Sequence, residues 1–374
     1  MSFKKVLEKF DPSLTKHKID QVSDEEIEVL LFKEKFSLDD LIPLLSPAAE
    51  KNLSKLSIKA KNKTLQHFGR TIKLYAPLYL SSYCRNSCVY CNFNKKNKTA
   101  RRRLSLKEAQ KEAQILFDYG FRHILLVAGE DPDFINREYL AELIKNLKTK
   151  FSGVSVEIAP LEAQEYLQLE NLGLDGLTIY QETYDHKVYR EVHAGGSKSD
   201  FWWRLATPER GGQAKLRELG IGFLLGLADW RVEGFYLGMH AAYLMKNFWQ
   251  SQISISFPRI RNIEASFRPP QRVSDKNLLQ LITALRLVFP HVDMTLSTRE
   301  CPALRDDLIG VGITRMSAGS KTSPGGYANA GQNESKQFSL EDHRSPLEVS
   351  QSISSAGFDP VFKDWERLFD REKL

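Results

Sequence analysis

From residue 71 onward the hydrophobic pattern keeps changing period. Short apolar runs rich in β-branched residues are each followed by longer stretches whose apolar positions recur every three or four residues. The short runs read as eight strands: Ile72–Leu80, His123–Val127, Val154–Ile158, Gly176–Tyr180, Gly222–Leu227, Gln252–Phe257, Val292–Leu296 and Gly312–Met316. Amphipathic helices are predicted at Ser105–Tyr119, stopped by Gly120, and at Glu138–Lys150, Glu162–Leu172, Arg210–Leu219, Tyr236–Phe248, Asp275–Phe289 and Ala303–Leu308. Strand–helix alternation predicts an α/β fold with a parallel sheet, and eight repeats predict a (β/α)8 barrel of the TIM type over residues 71–320.

Two flanking segments break this pattern. Residues 1–70 are charged, with apolar spacing of three and four from Ser23 to Phe32 and from Leu38 to Leu45. Ser23 with Glu26 fits a capping box, and Ser46-Pro47 reads as a helix start. A helical N-terminal extension is expected there. Residues 321–374 are expected to form a C-terminal tail packed on the barrel. The tail is rich in Gly, Ser and Asn to about Gln337, then helical near Pro346–Ala356, with aromatic Trp365 and Phe369 at its end.

A barrel carries its chemistry at the C-terminal mouth, just after the strands. The unusual residues fall there. A cysteine loop follows strand one, Ala128-Gly129-Glu130 strand two, Gln181-Glu182-Thr183 strand four, Ser297-Thr298-Arg299-Glu300 strand seven and Ser317 strand eight.

Composition narrows the class. A chain of 374 residues with 42% hydrophobic residues can bury a large core. The chain has four cysteines, and three of them, Cys84, Cys88 and Cys91, lie within one short run. That is no disulfide framework; it points to a reducing compartment and cytoplasmic localisation. The N-terminus lacks the apolar stretch of a signal peptide, and no run approaches the ~18 apolar residues of a membrane span. The net charge of +6 is mild. The basic run from Lys95 to Arg103 comes with no nucleic-acid motif, so a solvated loop or a dock for an acidic electron donor is expected rather than nucleic-acid binding.

The cysteine spacing C-x3-C-x2-C carries chemistry of its own. Three thiolates can hold three irons of a 4Fe-4S cluster and leave the fourth open to a ligand. A structural zinc site wants four ligands, and no fourth ligand lies at suitable spacing. With Tyr90 before the last cysteine, the run resembles the signature of the radical S-adenosylmethionine enzymes.

Longer runs resemble one family in particular. These are Tyr75–Ser81 leading into the cysteines, Leu125–Glu130, Gly173–Gly176, Tyr180–Tyr184, Trp203–Arg210, Ser254–Arg259, Leu296–Glu300 and Pro324–Tyr327. Together they are similar to the 2-iminoacetate synthases, the tyrosine lyases of bacterial thiamine biosynthesis. Two departures from the wider superfamily are Ala128 in place of a first glycine before Glu130, and Asn92 in place of a glycine after Cys91. Neither removes a side-chain ligand.

The resemblance implies a radical S-adenosylmethionine lyase that cleaves the Cα–Cβ bond of L-tyrosine to 2-iminoacetate and p-cresol. It implies a 4Fe-4S cluster on Cys84, Cys88 and Cys91, with Tyr90 packed beside it. It assigns Glu130 to the methionine ammonium of S-adenosylmethionine, Arg204 to its carboxylate and Glu182 to the ribose hydroxyls. Related aromatic amino acid lyases assign Arg299 to the tyrosine carboxylate, with Ser317 and Tyr79 completing the substrate site. A thiazole synthase that takes up the product and a flavodoxin or ferredoxin reductant are the implied partners. Cys301 is read as incidental. His123, His186 and His193 carry no assigned role. Two nearby lyases stay open: the hydrogenase-maturation type, against which the lack of any cysteine after Cys301 argues, and a tryptophan lyase. The alternative of another class is a non-catalytic metal-binding module.

Overall fold

The computed structural model describes residues 2–261, 267–328 and 336–366; Phe369 lies outside them. Eight parallel strands close into a barrel: β1 (Thr71–Ser81), β2 (His123–Ala128), β3 (Gly153–Glu157), β4 (Gly176–Glu182), β5 (Glu218–Phe223), β6 (Gln252–Ser256), β7 (Asp293–Leu296) and β8 (Arg315–Ser317). Each strand pairs with the next, and β1 pairs with both β2 and β8, which removes the sheet edges. The alternation along β1 follows from its two environments: Ile72, Leu74, Ala76 and Leu78 are buried under helices, while Lys73, Tyr75 and Tyr79 line cavities inside the barrel.

The bottom of the barrel is closed by charge. Asp293 is fully buried and accepts from Lys73 Nζ at 2.9 Å, Gln252 Nε2 at 2.6 Å and Thr314 Oγ1 at 2.8 Å. Arg315 pairs with buried Glu218 beside it. Burial alone would raise the Asp293 and Glu218 pKa values, but these cations hold both below the usual carboxylate range. Asp364 completes this floor, 2.9 Å from Lys73 Nζ and 2.7 Å from His123 Nε2.

The flanking segments pack onto this frame. Helices at Pro12–Asp20, Asp24–Phe32, Pro47–Lys51 and Leu53–Phe68 precede β1. Ser23 and Glu26 form the capping box, and Ser46 caps the helix that begins at Pro47. Phe3 stacks on buried His240 with centroids 4.1 Å apart. After the barrel, a helix at Pro346–Ser355 is followed by β9 (Asp359–Val361), which pairs parallel to the start of β1.

Two expectations are corrected, and one strand was not foreseen. The fifth strand is Glu218–Phe223, upstream of Gly222–Leu227, and the helix expected at Arg210–Leu219 is Thr207–Gln213. The helix stops early because Lys215 turns the chain at φ 59. Gly211 and Gly212 lie inside it for close packing. A Cβ on Gly211 would meet Leu219 Cδ2 at 2.8 Å, and one on Gly212 would meet Phe248 Cδ1 at 2.5 Å. The unforeseen strand, β9, is three residues long, too short for a periodic signal.

The tail segment 336–344 is bound across the barrel mouth. Arg305 and Asp342, both fully buried at the side chain, form an ion pair, and Arg305 also donates to the Ser317 carbonyl. Arg344 pairs with Asp342 at 2.7 Å and with Asp306 at 2.8 Å. Arg261 pairs with Glu341 at 2.7 Å. Removing one partner of a buried pair strands the other charge. Asp342→Asn leaves the fully buried Arg305 guanidinium with no carboxylate and is therefore expected to destabilise the fold by about 3 kcal/mol or more in urea unfolding. An unchanged midpoint would show that the pair does not anchor the tail.

Candidate active site

A cavity of about 1170 Å³, including its opening, occupies the C-terminal mouth. Cys84, Cys88, Cys91, Tyr90, Glu130, Glu182, Arg204 and Arg299 all line it. Eight of the ten residues singled out from the sequence thus converge from four strand ends. The other two, Tyr79 and Ser317, line a second cavity of about 590 Å³ deeper in the barrel. The two cavities share Val127, Glu157, Tyr180, Pro258, Arg299 and Phe338 as common walls.

The cysteine loop is held by its backbone. Ser87 N donates to Gly195 O at 2.9 Å, Val89 N to Val192 O at 3.2 Å, and Cys88 forms an antiparallel bridge with His193. Arg101 gathers the far side of the loop, donating to the carbonyls of Ser82, Phe93, Asn94 and Asn97. That guanidinium is structural, as are Arg102, which pairs with Glu108, and Arg103, over the Tyr139 ring. Lys95, Lys96 and Lys98 are the exposed cations of the basic run's first half. Gly129 must lack a side chain, because a Cβ there would stand 2.3 Å from the Tyr83 carbonyl oxygen.

All four cysteines are free thiols. Among the described residues no three or more His, Cys, Asp or Glu side chains converge on a point fit for one metal ion. A zinc ion with Zn–S near 2.3 Å would need its sulfurs about 3.8 Å apart. A 4Fe-4S cluster binds each thiolate through a different iron, so its ligands stand apart around a shared volume. The three thiols line one cavity without converging on a point among the described residues, which matches ligands bound through separate irons rather than one shared ion. Burial pushes the Cys88 thiol up to about 12 and the Cys91 thiol to about 11, so cationic iron must supply the charge that favours thiolates.

Beside the cysteines lies a buried ion network. Arg204 donates from Nε to the Tyr180 carbonyl at 2.6 Å and from Nη1 to Glu130 Oε1 at 2.8 Å, and its Nη2 is 3.6 Å from Glu182 Oε1. Lys198 Nζ donates to Glu182 Oε1 at 2.6 Å. Asn86, in the cysteine loop, donates to Glu130 Oε2 at 2.8 Å and accepts from Lys198 N at 2.9 Å. Burial would raise the Glu182 pKa, but Lys198 and Arg204 hold it below the usual value. Glu182 itself has φ 70, at an irregularity in the β4–β5 register. A side chain in this conformation is costly, and the break in register re-aims the carboxylate into the mouth.

Tyr90 and His193 form a neutral pair. His193 Nδ1 donates to Tyr189 O at 2.9 Å, which leaves Nε2 to accept from the Tyr90 hydroxyl at 2.7 Å. Burial lowers the His193 pKa to about 3, so the imidazole stays uncharged.

In the deeper cavity, the Tyr79 hydroxyl donates to Gln337 Oε1 at 2.6 Å, and Ser317 Oγ accepts from Thr298 N at 3.0 Å. The Arg299 guanidinium lies over the Phe338 ring at 3.3 Å. Cys301 is half-buried, at the N-cap of the helix Pro302–Asp307. His123 belongs to the barrel floor, and His186 packs edge-on to Phe201 with centroids 4.8 Å apart.

The sequence reading passed over Asn86, Glu157, Lys198 and Gln337. Glu157 had a usable signal. Val154 and Val156 on β3 are buried, while Ser155 and Glu157, at the alternate positions, line the barrel cavities. Lys198 follows the glycine pair Gly195-Gly196, where a Cβ on Gly196 would collide with Asn86 Oδ1 at 2.2 Å. Gln337 comes from the tail, and no local pattern ties it to the cysteines.

Residues 78–232 match the family described as the Radical SAM superfamily, and residues 256–359 match the Biotin and Thiamin Synthesis associated domain. The chain is 40% identical over 347 residues to the 2-iminoacetate synthases of Salmonella typhimurium and Escherichia coli, covering 92% of this chain and 92% of each relative. Among solved structures, the FeFe-hydrogenase maturase HydG from Carboxydothermus hydrogenoformans aligns with a TM-score of 0.86 and 34% identity, over 94% of this chain and 84% of that one. Methylornithine synthase aligns with a TM-score of 0.69 at 22% identity, over 89% of this chain and 96% of that one, and supports the fold alone. Radical SAM enzymes use a 4Fe-4S cluster and S-adenosylmethionine. The chain therefore belongs to the 2-iminoacetate synthase family of radical SAM enzymes.

Proposed function

We propose that this protein cleaves the Cα–Cβ bond of L-tyrosine, giving 2-iminoacetate and p-cresol together with 5′-deoxyadenosine and methionine. One observation carries the reading. A mouth cavity with three thiols and a buried ion network shares its inner wall with a deeper cavity bearing Arg299. That is room for a nucleoside cofactor and an amino acid in contact, inside a family whose relatives bear the name 2-iminoacetate synthase.

Cys84, Cys88 and Cys91 would hold the cluster, with Tyr90 fixed beside it by His193. When bound, the cluster supplies an electron that splits S-adenosylmethionine into methionine and a 5′-deoxyadenosyl radical, which takes a hydrogen atom from the substrate. Glu130 and Arg204 would bind the ammonium and carboxylate of the methionine moiety, and Glu182 the ribose hydroxyls. Arg299 would fork onto the tyrosine carboxylate, which fixes orientation better than a lysine would. Its flat contact with Phe338 presets that geometry. Tyr79 and Ser317 would shape the deeper wall. The protein's own work is orientation and exclusion of water.

The reaction needs a reductant twice, once to open the cofactor and once to reduce the departing ring. A flavodoxin or ferredoxin suits this, with Lys95, Lys96 and Lys98 as the exposed cations beside the cysteine loop. Iminoacetate hydrolyses readily, which favours direct transfer to a thiazole synthase. Among the described residues no helix is long and apolar enough to cross a membrane.

Anaerobic protein reconstituted with iron and sulfide, given dithionite, S-adenosylmethionine and L-tyrosine, should form p-cresol and 5′-deoxyadenosine, both seen by chromatography. Cys88→Ala should form neither. Arg299→Met should raise the tyrosine KM by roughly 10- to 100-fold, the effect of losing a bidentate charged contact. Deoxyadenosine without p-cresol from the unaltered protein would reject tyrosine cleavage. Gly129→Ala should lower the iron bound per chain with little change in far-UV circular dichroism, because the added methyl displaces the loop at Tyr83. Full iron loading would show that the loop tolerates the shift.

A further inference from the structure

Glu157 and Arg299 are opposite charges set in one cavity wall, and they do not satisfy each other. Glu157 ends β3 and lines both the mouth cavity and the deeper one, as does Arg299. Among the described residues neither the Glu157 carboxylate nor the Arg299 guanidinium makes a hydrogen bond or ion pair, and the guanidinium lies over the Phe338 ring. Every other charged side chain of the mouth network is paired: Glu130 with Arg204, Glu182 with Lys198, Arg259 with Glu300, Arg261 with Glu341. A carboxylate left unpaired inside a barrel is costly unless a ligand supplies its partner.

A zwitterionic α-amino acid supplies both partners at once. Its carboxylate and ammonium groups sit on the same carbon, so it calls for neighbouring anchors of opposite sign, and these two share the wall common to both cavities within each other's electrostatic reach. We propose that Glu157 is the anchor for the substrate's α-ammonium group, opposite the Arg299 hold on its carboxylate, and that it takes up the proton this nitrogen sheds. The step balances as R–NH3⁺ plus Glu157 carboxylate giving R–NH2 plus Glu157 carboxylic acid. This rests on the tyrosine lyase reading above and supplies the acceptor that reading lacks.

The electrostatic setting suits a proton acceptor. Burial first, and then the neighbouring Glu182, raise the Glu157 pKa to about 7, while Arg299, Lys198 and Arg204 pull it down. The groups facing it are Glu182 and Tyr180 on β4, Tyr75 and Tyr79 on β1, Arg299 after β7, and Lys198 and Arg204 between β4 and β5. Glu182 is held below its usual range, and the three tyrosines, chiefly by burial, above theirs. Below about 7, Glu157 is protonated and can neither attract the ammonium nor accept its proton. Tyrosine affinity should therefore fall as pH drops through that value.

The test compares ligands with and without the amino group on the reconstituted protein holding S-adenosylmethionine. L-tyrosine and 3-(4-hydroxyphenyl)propanoate are titrated against the unaltered protein, Glu157→Gln and Glu157→Asp. Glu157→Gln should bind L-tyrosine about 10- to 100-fold more weakly, with the propanoate unchanged, and should lose the fall in tyrosine affinity near neutral pH. Glu157→Asp should recover part of the loss. The Tm of Glu157→Gln at pH 8 should not drop, since a buried charge has been removed. Equal weakening for both ligands, or unchanged tyrosine binding, would overturn the assignment. L-tryptophan and 3-indolepropanoate are run in parallel. If only the tryptophan pair binds, and with the same dependence on Glu157, the ammonium anchor stands and tyrosine as substrate falls.

Discussion

Arg204 is the residue on which the mouth of the barrel depends. Its guanidinium ties the β4 carbonyl of Tyr180 to Glu130 after β2 and approaches Glu182 at the end of β4. Through Glu130 and Asn86 the same network reaches the cysteine loop, and through Lys198 it returns to the β4–β5 connection. In the low-dielectric interior such a network is strong when complete and costly when broken. It presents acids and bases at set positions, and it fixes the loop that bears the thiols. On the proposed assignment, cluster position and cofactor recognition are set by one group of contacts.

The barrel divides its charges by height. At the floor, Asp293, Glu218, Lys73 and Arg315 neutralise one another and close the lumen. At the mouth, pairing is nearly complete, and the exceptions are the wall shared by the two cavities. Stability and function are separated in the way expected of this fold, with structural pairs at the N-terminal end and chemistry at the C-terminal end. The tail segment 336–344 adds a third layer over the mouth, bound by Arg305 and Arg261, and it brings Gln337 and Phe338 to the cavity walls.

Much of this was legible in the sequence, for identifiable reasons. The strands and long helices have strong periods, and the capping box at Ser23 uses local hydrogen bonds that a sequence displays directly. The cysteine spacing states its chemistry in a few residues, and Glu130, Glu182 and Arg299 stand at strand ends, where a barrel exposes side chains. The region from Glu182 to Glu218 was read poorly. Its helices are short, its turns rest on Lys215 and Gly196, and Gly211-Gly212 serves packing rather than chain reversal. Lys198 and Gln337 act across long separations in sequence, so nothing near them announces their partners. Glu157 was missed although the alternation of Val154 and Val156 with Ser155 and Glu157 separates the two faces of β3, because that alternation was not used to place the acid inside the barrel.

The central claim is that cofactor and amino acid occupy the two joined cavities together, and a crystal structure of the anaerobic protein with S-adenosylmethionine and L-tyrosine tests it most directly. The account predicts the methionine moiety between the cysteine loop and the Glu130–Arg204 pair. It predicts the tyrosine carboxylate on Arg299, with the amino nitrogen within hydrogen-bonding distance of Glu157. Tyrosine bound elsewhere, or the two ligands competing for a single volume, would contradict it.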